Sequence, residues 1–192
     1  MADVELPNPE ELEEQKGKTF TRRVALITGV FAVILAIASL GGNNATKDMI
    51  LAQEQASDLW AFYQAKGNKE HQYHLAKLRA EMDLAERGAR MEPQLRQRFE
   101  AQLNEMTEQE RRYGVEKKAL EAEARTQEHE RDLNRAKDPF FDFAEVFLQI
   151  AIVMSSISIL SGSRPIFFFS LLLAIIGVVL TINGYVLFMK LA

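Results

Sequence analysis

Three stretches of the chain are nearly free of charge, and the long region between the first and second is dense in Lys, Arg, Glu and Asp. The first stretch, Val24 to Gly42, reads VALITGVFAVILAIASLGG. The second covers residues 140–160 around FAEVFLQIAIVMSSISIL, and the third, Ile166 to Met189, reads IFFFSLLLAIIGVVLTINGYVLFM. Each has the roughly 17–25 apolar residues that a helix needs to cross a bilayer. Backbone groups in hydrocarbon must be satisfied within their own segment, and no run shows barrel-type alternation, so helices are expected. The predicted fold class is an all-α integral membrane protein with three transmembrane helices and a long, coiled-coil-like helical hairpin between the first and second. Its parts are an acidic N-terminal tail (1–23), spans at 24–42, 140–160 and 166–189, and the extramembrane hairpin (43–139).

Arg22 and Arg23 precede the first span, which ends in the small-residue pattern Ala36-Ile37-Ala38, so a cleaved signal peptide is an alternative. The long acidic tail upstream favours an uncleaved anchor. After it, Gly41-Gly42-Asn43-Asn44 is expected to break the helical pattern, with Asn44 or Thr46 capping a new start. From there to Ala136 strong helix formers dominate. Gly88 and Pro93 mark one turn, leaving two arms of about 45 residues, roughly 65 Å each if helical.

A seam between those arms is predicted at Leu75, Leu78, Met82, Ala85 and Ala89 on the outgoing arm, spaced 3-4-3-4. The returning arm offers Leu95, Phe99, Met106, Tyr113 and Leu120, interrupted by Gln102 and Gln109, which is poorer than a heptad seam. At the start of the outgoing arm, Met49, Ala52, Ala56, Leu59, Trp60 and Tyr63 share one face. This face is read as a contact, in an oligomer or in the hairpin base, in preference to an interfacial amphipathic helix.

Helices in lipid associate through close approach of small side chains. The first span has Ala25, Gly29, Ala32, Ala36 and Ser39 at 4-3-4-3 spacing, and the third has Ser170, Ala174, Gly177, Thr181 and Gly184 at the same spacing. The second has Ala144, Ala151, Ser155, Ser158 and Gly162, with Leu148 filling the gap. Packing or oligomer contacts are therefore expected at Ala25, Gly29, Ala32, Ala36, Trp60, Tyr63, Ala174, Gly177 and Gly184. Four intramembrane polar residues, Asp142, Glu145, Gln149 and Asn183, are functional suspects because burying them in lipid is costly. For the two acids the simpler reading is a headgroup-level position that complements a helix dipole. For Gln149 and Asn183 it is interhelical hydrogen bonding. Phe140, Phe141, Phe143 and Phe167 to Phe169 read as apolar anchors at the span ends.

Composition adds mainly exclusions. There is no cysteine, which removes disulfides, thiolate metal sites and cysteine nucleophiles. The formal net charge is −4 and the charged arms interleave both signs, which argues against a nucleic-acid partner. Of three histidines, His71 and His74 share a helical face but have no evident third ligand, and His129 lies on the other arm. With no phosphate loop, metalloprotease motif or nucleophile elbow, no enzyme activity, cofactor, metal or small-molecule substrate is expected. Positive charge at Lys16, Lys18, Arg22, Arg23 and Arg164 places the N-terminus and the loop between spans two and three in the cytoplasm. The hairpin and Lys190 then fall in a periplasm, against the opposing pull of Lys47, Arg135 and Lys137.

The block Gln55-Ala56-Ser57-Asp58-Leu59-Trp60-Ala61-Phe62-Tyr63-Gln64-Ala65-Lys66, preceded by Asn43-Asn44-Ala45-Thr46, resembles a bacterial family of three-span membrane proteins, a domain of unknown function. Phe141-Asp142-Phe143-Ala144-Glu145-Val146-Phe147-Leu148-Gln149-Ile150-Ala151-Ile152 and the Ser155-Ser156 pair are similar too. The resemblance covers nearly the whole chain and implies a bacterial inner-membrane protein without implying an activity. The favoured function is a non-enzymatic, homo-oligomeric scaffold or assembly component, with the lipid bilayer and further copies as partners. One alternative is a membrane-protein insertase, whose plan also joins one span, a cytosolic coiled-coil hairpin and two close spans. A third is an oligomeric pore or transporter lined by Asp142, Glu145, Gln149 and Asn183.

Overall fold

The structure is a computed structural model that describes residues 9–189, with side chains from residue 17. Residues 1–8 of the acidic tail, the side chain of Lys16, and Lys190 lie outside the described residues. The described residues are almost wholly helical: α1 (Pro9–Arg87), a single 3-10 turn (Gly88–Arg90), α2 (Pro93–Ser161) and α3 (Arg164–Val186). Prolines stand at or beside the start of all three long helices, where a missing N–H is harmless. Each long helix contains a segment long and apolar enough to cross a membrane.

One boundary differs from the sequence expectation: Gly41 and Gly42 do not interrupt α1. Pro139 lies inside α2. The glycines serve close approach instead of a break. A Cβ on Gly41 would stand 2.5 Å from the Phe141 ring, and one on Gly42 would stand 3.2 Å from the Cβ of Phe141.

The described residues form two compact units, divided at Met49/Ile50 and Asp132/Leu133: the first joins the two outer parts of the chain and the second is Ile50–Asp132. In the first unit the antiparallel pair α2–α3 meets in three layers, seven residues apart on each helix. Phe141 packs on Gly184, Leu148 on Gly177, and the Ser155 hydroxyl lies 2.9 Å from that of Ser170. A heptad repeat of contacts is the geometry of a shallow left-handed crossing. A large side chain on α2 thus faces a missing one on α3 in two layers, and two small hydroxyls meet in the third. Helix α1 adds Phe31 and Ala38 to the same core, with Ile27, Ile34 and Leu35 packed against it. Phe141 is 2 % exposed and meets Tyr185 edge-to-face at 5.0 Å. The Tyr185 hydroxyl donates to the Ile37 carbonyl at 3.2 Å.

Both ends of α3 are closed locally. At the α2–α3 turn Gly162 takes φ +65°, the conformation glycine accepts without penalty, and the Ser158 hydroxyl donates to the Ser163 carbonyl. At the far end Leu187 adopts φ 53°, which is unusual for a branched residue. Asn183 holds it there: its amide accepts from the Met189 N–H at 2.8 Å and donates to the Met189 carbonyl at 3.0 Å. Asn183 is therefore a helix-end clamp within α3 and its tail, not the interhelical hydrogen bond expected from sequence.

In the second unit α1 and α2 run antiparallel as a two-helix hairpin, with facing residues joined by ion pairs from Lys66–Glu116 to Lys77–Glu110.

Gly177→Ala should lower thermal stability by about 1–3 kcal/mol, the cost of overpacking, because its Cβ would stand 2.7 Å from Leu148 Cγ and 3.2 Å from the Ala144 carbonyl. Gly67→Ala, whose Cβ meets nothing closer than Lys117 Cδ at 3.5 Å, should instead leave stability unchanged or raise it by up to about 1 kcal/mol through helix propensity. Thermal melts of the two variants in one mild detergent, followed by circular dichroism, check the contrast.

Candidate functional site

The hairpin seam mixes apolar and charged positions. On the outgoing arm the positions that turn inward are Ala52, Ala56, Leu59, Tyr63, Lys66, Glu70, Tyr73 and Lys77, at 4-3-4-3-4-3-4 spacing. On the returning arm they are Phe99, Leu103, Met106, Glu110, Tyr113, Lys117, Leu120 and Ala124, at the same spacing. The seam expected at Leu75, Leu78, Met82, Ala85 and Ala89 lies on a different face, and all five are exposed. Leu95 and Gln102 are exposed as well, whereas Phe99, Met106, Tyr113 and Leu120 do turn inward. The physical reason is that charged side chains with partners fill seam positions which a search for apolar residues passes over.

Those partners alternate in sign along the hairpin. Lys66 pairs with Glu116 at 2.5 Å, Lys117 with Glu70 at 2.5 Å, and Lys77 with Glu110 at 2.6 Å. His74 Nδ1 lies 2.7 Å from the other oxygen of Glu110. Nearer the base the Trp60 indole N–H donates to Glu128 at 3.0 Å, and Arg131 donates to Gln53 at 2.9 Å. Slipping one arm by a few residues would set like charges opposite one another, so the ladder fixes the register. Hydrogen bonding from Lys77, then from His74, holds the Glu110 carboxyl below its ordinary value, and hydrogen bonding from Lys66 does the same for Glu116. Conversely, hydrogen bonds to Glu110 and Glu70 hold the Lys77 and Lys117 ammonium groups above theirs.

Trp60 and Tyr63 belong to this seam. Their rings meet edge-to-face at 5.2 Å, and Lys117 Nζ stands 5.7 Å from the Tyr63 ring. Further along, Tyr73 stacks on Tyr113 at 5.7 Å, and the ammonium of Lys66 lies 5.3 Å from the Tyr113 centroid, close enough for a cation–π contact.

The small-residue faces divide sharply. Ala174, Gly177 and Gly184 are buried, together with Ser170 and Thr181, and they meet α2 at Ala144, Leu148 and Ser155, which are buried as well. Gly162, last on the α2 stripe, is exposed in the turn. On α1, in contrast, Ala25, Gly29, Ala32 and Ala36 are all exposed, and a Cβ on Gly29 would meet nothing within 4 Å. Packing within the chain uses the opposite side of α1, where Val24, Phe31, Ala38 and the two glycines fit the groove of α2 and α3. The aromatic anchors also separate: Phe140 and Phe141 are core residues, while Phe143, Phe168 and Phe169 are more than half exposed.

The suspected polar residues do not converge. Asp142 and Gln149 are exposed, Glu145 is half-buried beside Gly42, and Asn183 is occupied with the end of α3. Among the described residues no group of three or more His, Cys, Asp or Glu is placed to hold a metal ion. His71 and His129 are exposed, and His74 is committed to Glu110.

Phe141, expected from the sequence to be an apolar anchor at a span end, is instead the ring around which α1, α2 and α3 meet. The available signal was the heptad shared by Phe141, Leu148 and Ser155 with Ser170, Gly177 and Gly184, together with the Gly41-Gly42 pair.

A sequence model described as a domain of unknown function, DUF4337, matches residues 20–187. No curated protein and no solved structure matches the chain.

The ion ladder predicts a pH window for the hairpin. A carboxyl held below its ordinary value near 4.5 contributes stability above that pH and loses it as pH falls through the lowered value. An ammonium held above its ordinary value near 10.5 contributes below that pH and loses it as pH rises through the raised value. The thermal midpoint reported by the fluorescence of Trp60, the chain's single tryptophan, should be flat between these limits and fall on both sides. Glu110→Gln should lower the plateau and shrink its acid edge.

Proposed function

We propose that this chain, which belongs to the DUF4337 family, is a three-span inner-membrane protein that acts without catalysis as an oligomeric scaffold or assembly component. In this reading the apolar segments of α1, α2 and α3 cross the bilayer, the N-terminus is cytoplasmic and the hairpin is periplasmic. No more than 28 % of the most apolar window of any of the three is buried within the chain. So much exposed apolar surface suits lipid and helix partners and would be an aggregation hazard in water.

The observation that carries the oligomer is the face of Ala25, Gly29, Ala32 and Ala36. The small-residue stripes of α2 and α3 pack against each other, whereas Ala25, Gly29, Ala32 and Ala36 of α1 face outward. In hydrocarbon such a face gains by approach of a second backbone. Leu75, Leu78 and Met82 add support in the hairpin, where they stay exposed at helix-pairing spacing. The scattered positions of Asp142, Glu145, Gln149 and Asn183 give a pore or an insertase-type groove no counterpart support within one chain.

Light scattering of the protein in nanodiscs or mild detergent tests the reading by its mass. A stable multimer is expected, and Gly29→Leu should weaken association at least tenfold, about 1.4 kcal/mol, with the single-chain melt unchanged because nothing in the chain lies near that Cβ. A monodisperse monomer of the unaltered protein would refute it.

A further inference from the structure

One cleft in the first unit opens on the polar side of the Phe141 socket. It has a volume of about 140 Å³ and is walled by Asn44 and Asp48 of α1, Asn134, Lys137 and Phe141 of α2, and Tyr185 of α3. That is well under the roughly 300–1,000 Å³ of pockets that enclose drug-sized molecules, so only a small polar head fits. The cleft holds one carboxylate and one ammonium, and among the described ion pairs neither Asp48 nor Lys137 takes part. Lys137 donates to the Asn134 side-chain carbonyl at 3.2 Å, and Asn134 is itself 8 % exposed. Two opposite charges that share a cleft without closing on each other leave room for a group carrying both signs in reverse.

We infer that this cleft binds the phosphoethanolamine head of a zwitterionic phospholipid. The phosphate lies toward the Lys137 ammonium and the amide donors of Asn134 and Asn44, where charge-assisted hydrogen bonds are strong. The primary ammonium lies toward the Asp48 carboxylate, with the exposed Tyr185 ring offering a cation–π face. A lipid is favoured over a free metabolite because the cleft sits where α1, α2 and α3 pass from apolar to polar sequence. That is the level at which tyrosines and headgroups meet. The inference rests on the membrane-spanning reading above. It goes beyond that reading by assigning a lipid class and four residues to its recognition: Asn44, Asp48, Asn134 and Lys137.

Native mass spectrometry of the full-length protein, released from micelles doped with phosphatidylethanolamine or phosphatidylglycerol, tests it. The expected result is at least threefold greater retention of phosphatidylethanolamine. Asp48→Asn and Lys137→Gln should each abolish that preference without moving the thermal midpoint. Equal or greater retention of phosphatidylglycerol would overturn the inference, as would variants that keep the preference. A parallel arm with soluble O-phosphoethanolamine in lipid-free detergent separates the sources, since binding there without lipid retention would also overturn it. A chain that is soluble and folded without any detergent would defeat the membrane reading itself. A micelle-bound chain without lipid preference defeats only this site.

Discussion

The three apolar helices are keyed to one another by the Phe141 ring, which occupies space that exists only because three backbone positions lack a Cβ. Gly41 and Gly42 of α1 and Gly184 of α3 surround it, and a methyl group at Gly41 or Gly184 would fall within 3 Å of ring carbons. In the membrane-spanning reading proposed above, burial from water would give no drive toward a neighbouring helix, and this interlocking of large with absent side chains would carry the packing. From Phe141 the same rule descends α2 by heptads, through Leu148 on Gly177 to the paired hydroxyls of Ser155 and Ser170. Register, crossing and the close fit of α3 follow from that series.

The hairpin is held on different terms. Its seam carries alanines, aromatics and partly exposed ion pairs, with few large aliphatic residues. Individual pairs of this kind contribute little to stability. Their alternation in sign instead selects one alignment of the arms, and Trp60, Tyr63, Tyr73 and Tyr113 supply the larger contact surfaces. Such a seam leaves Leu75, Leu78 and Met82 free on another face of the outgoing arm.

What could be read in the sequence follows from what each pattern depends on. Helix and apolar length are local, so the all-helical fold and its three apolar segments were legible. The α3 stripe at Ala174, Gly177 and Gly184 was legible because its partner stripe on α2 has the same period. The equivalent face of α1 has the same spacing but points away from the chain, since spacing defines a face without saying what covers it. Gly41-Gly42 read as a helix break because glycine is a weak helix former in isolation. Only the approach of Phe141, a hundred residues later in sequence, turns the pair into a socket. Asn183 read as an interhelical donor because the turn that brings Met189 back to it, only six residues on, is made at Leu187, where no glycine marks it. The seam of the hairpin was hidden by the search for apolar residues, which discounts Lys66, Glu70 and Lys77.

The most direct test of the Phe141 socket is a double-mutant cycle between Phe141→Leu and Gly184→Ala, measured by reversible unfolding of the full-length protein in mild detergent. If the ring fills the space left by the glycine, the alanine is harmful beside phenylalanine and nearly harmless once the ring is removed. The expected coupling is then about 1–2 kcal/mol. Effects that add to within about 0.5 kcal/mol would mean the two positions act independently, and the socket would not be what keys the helices together.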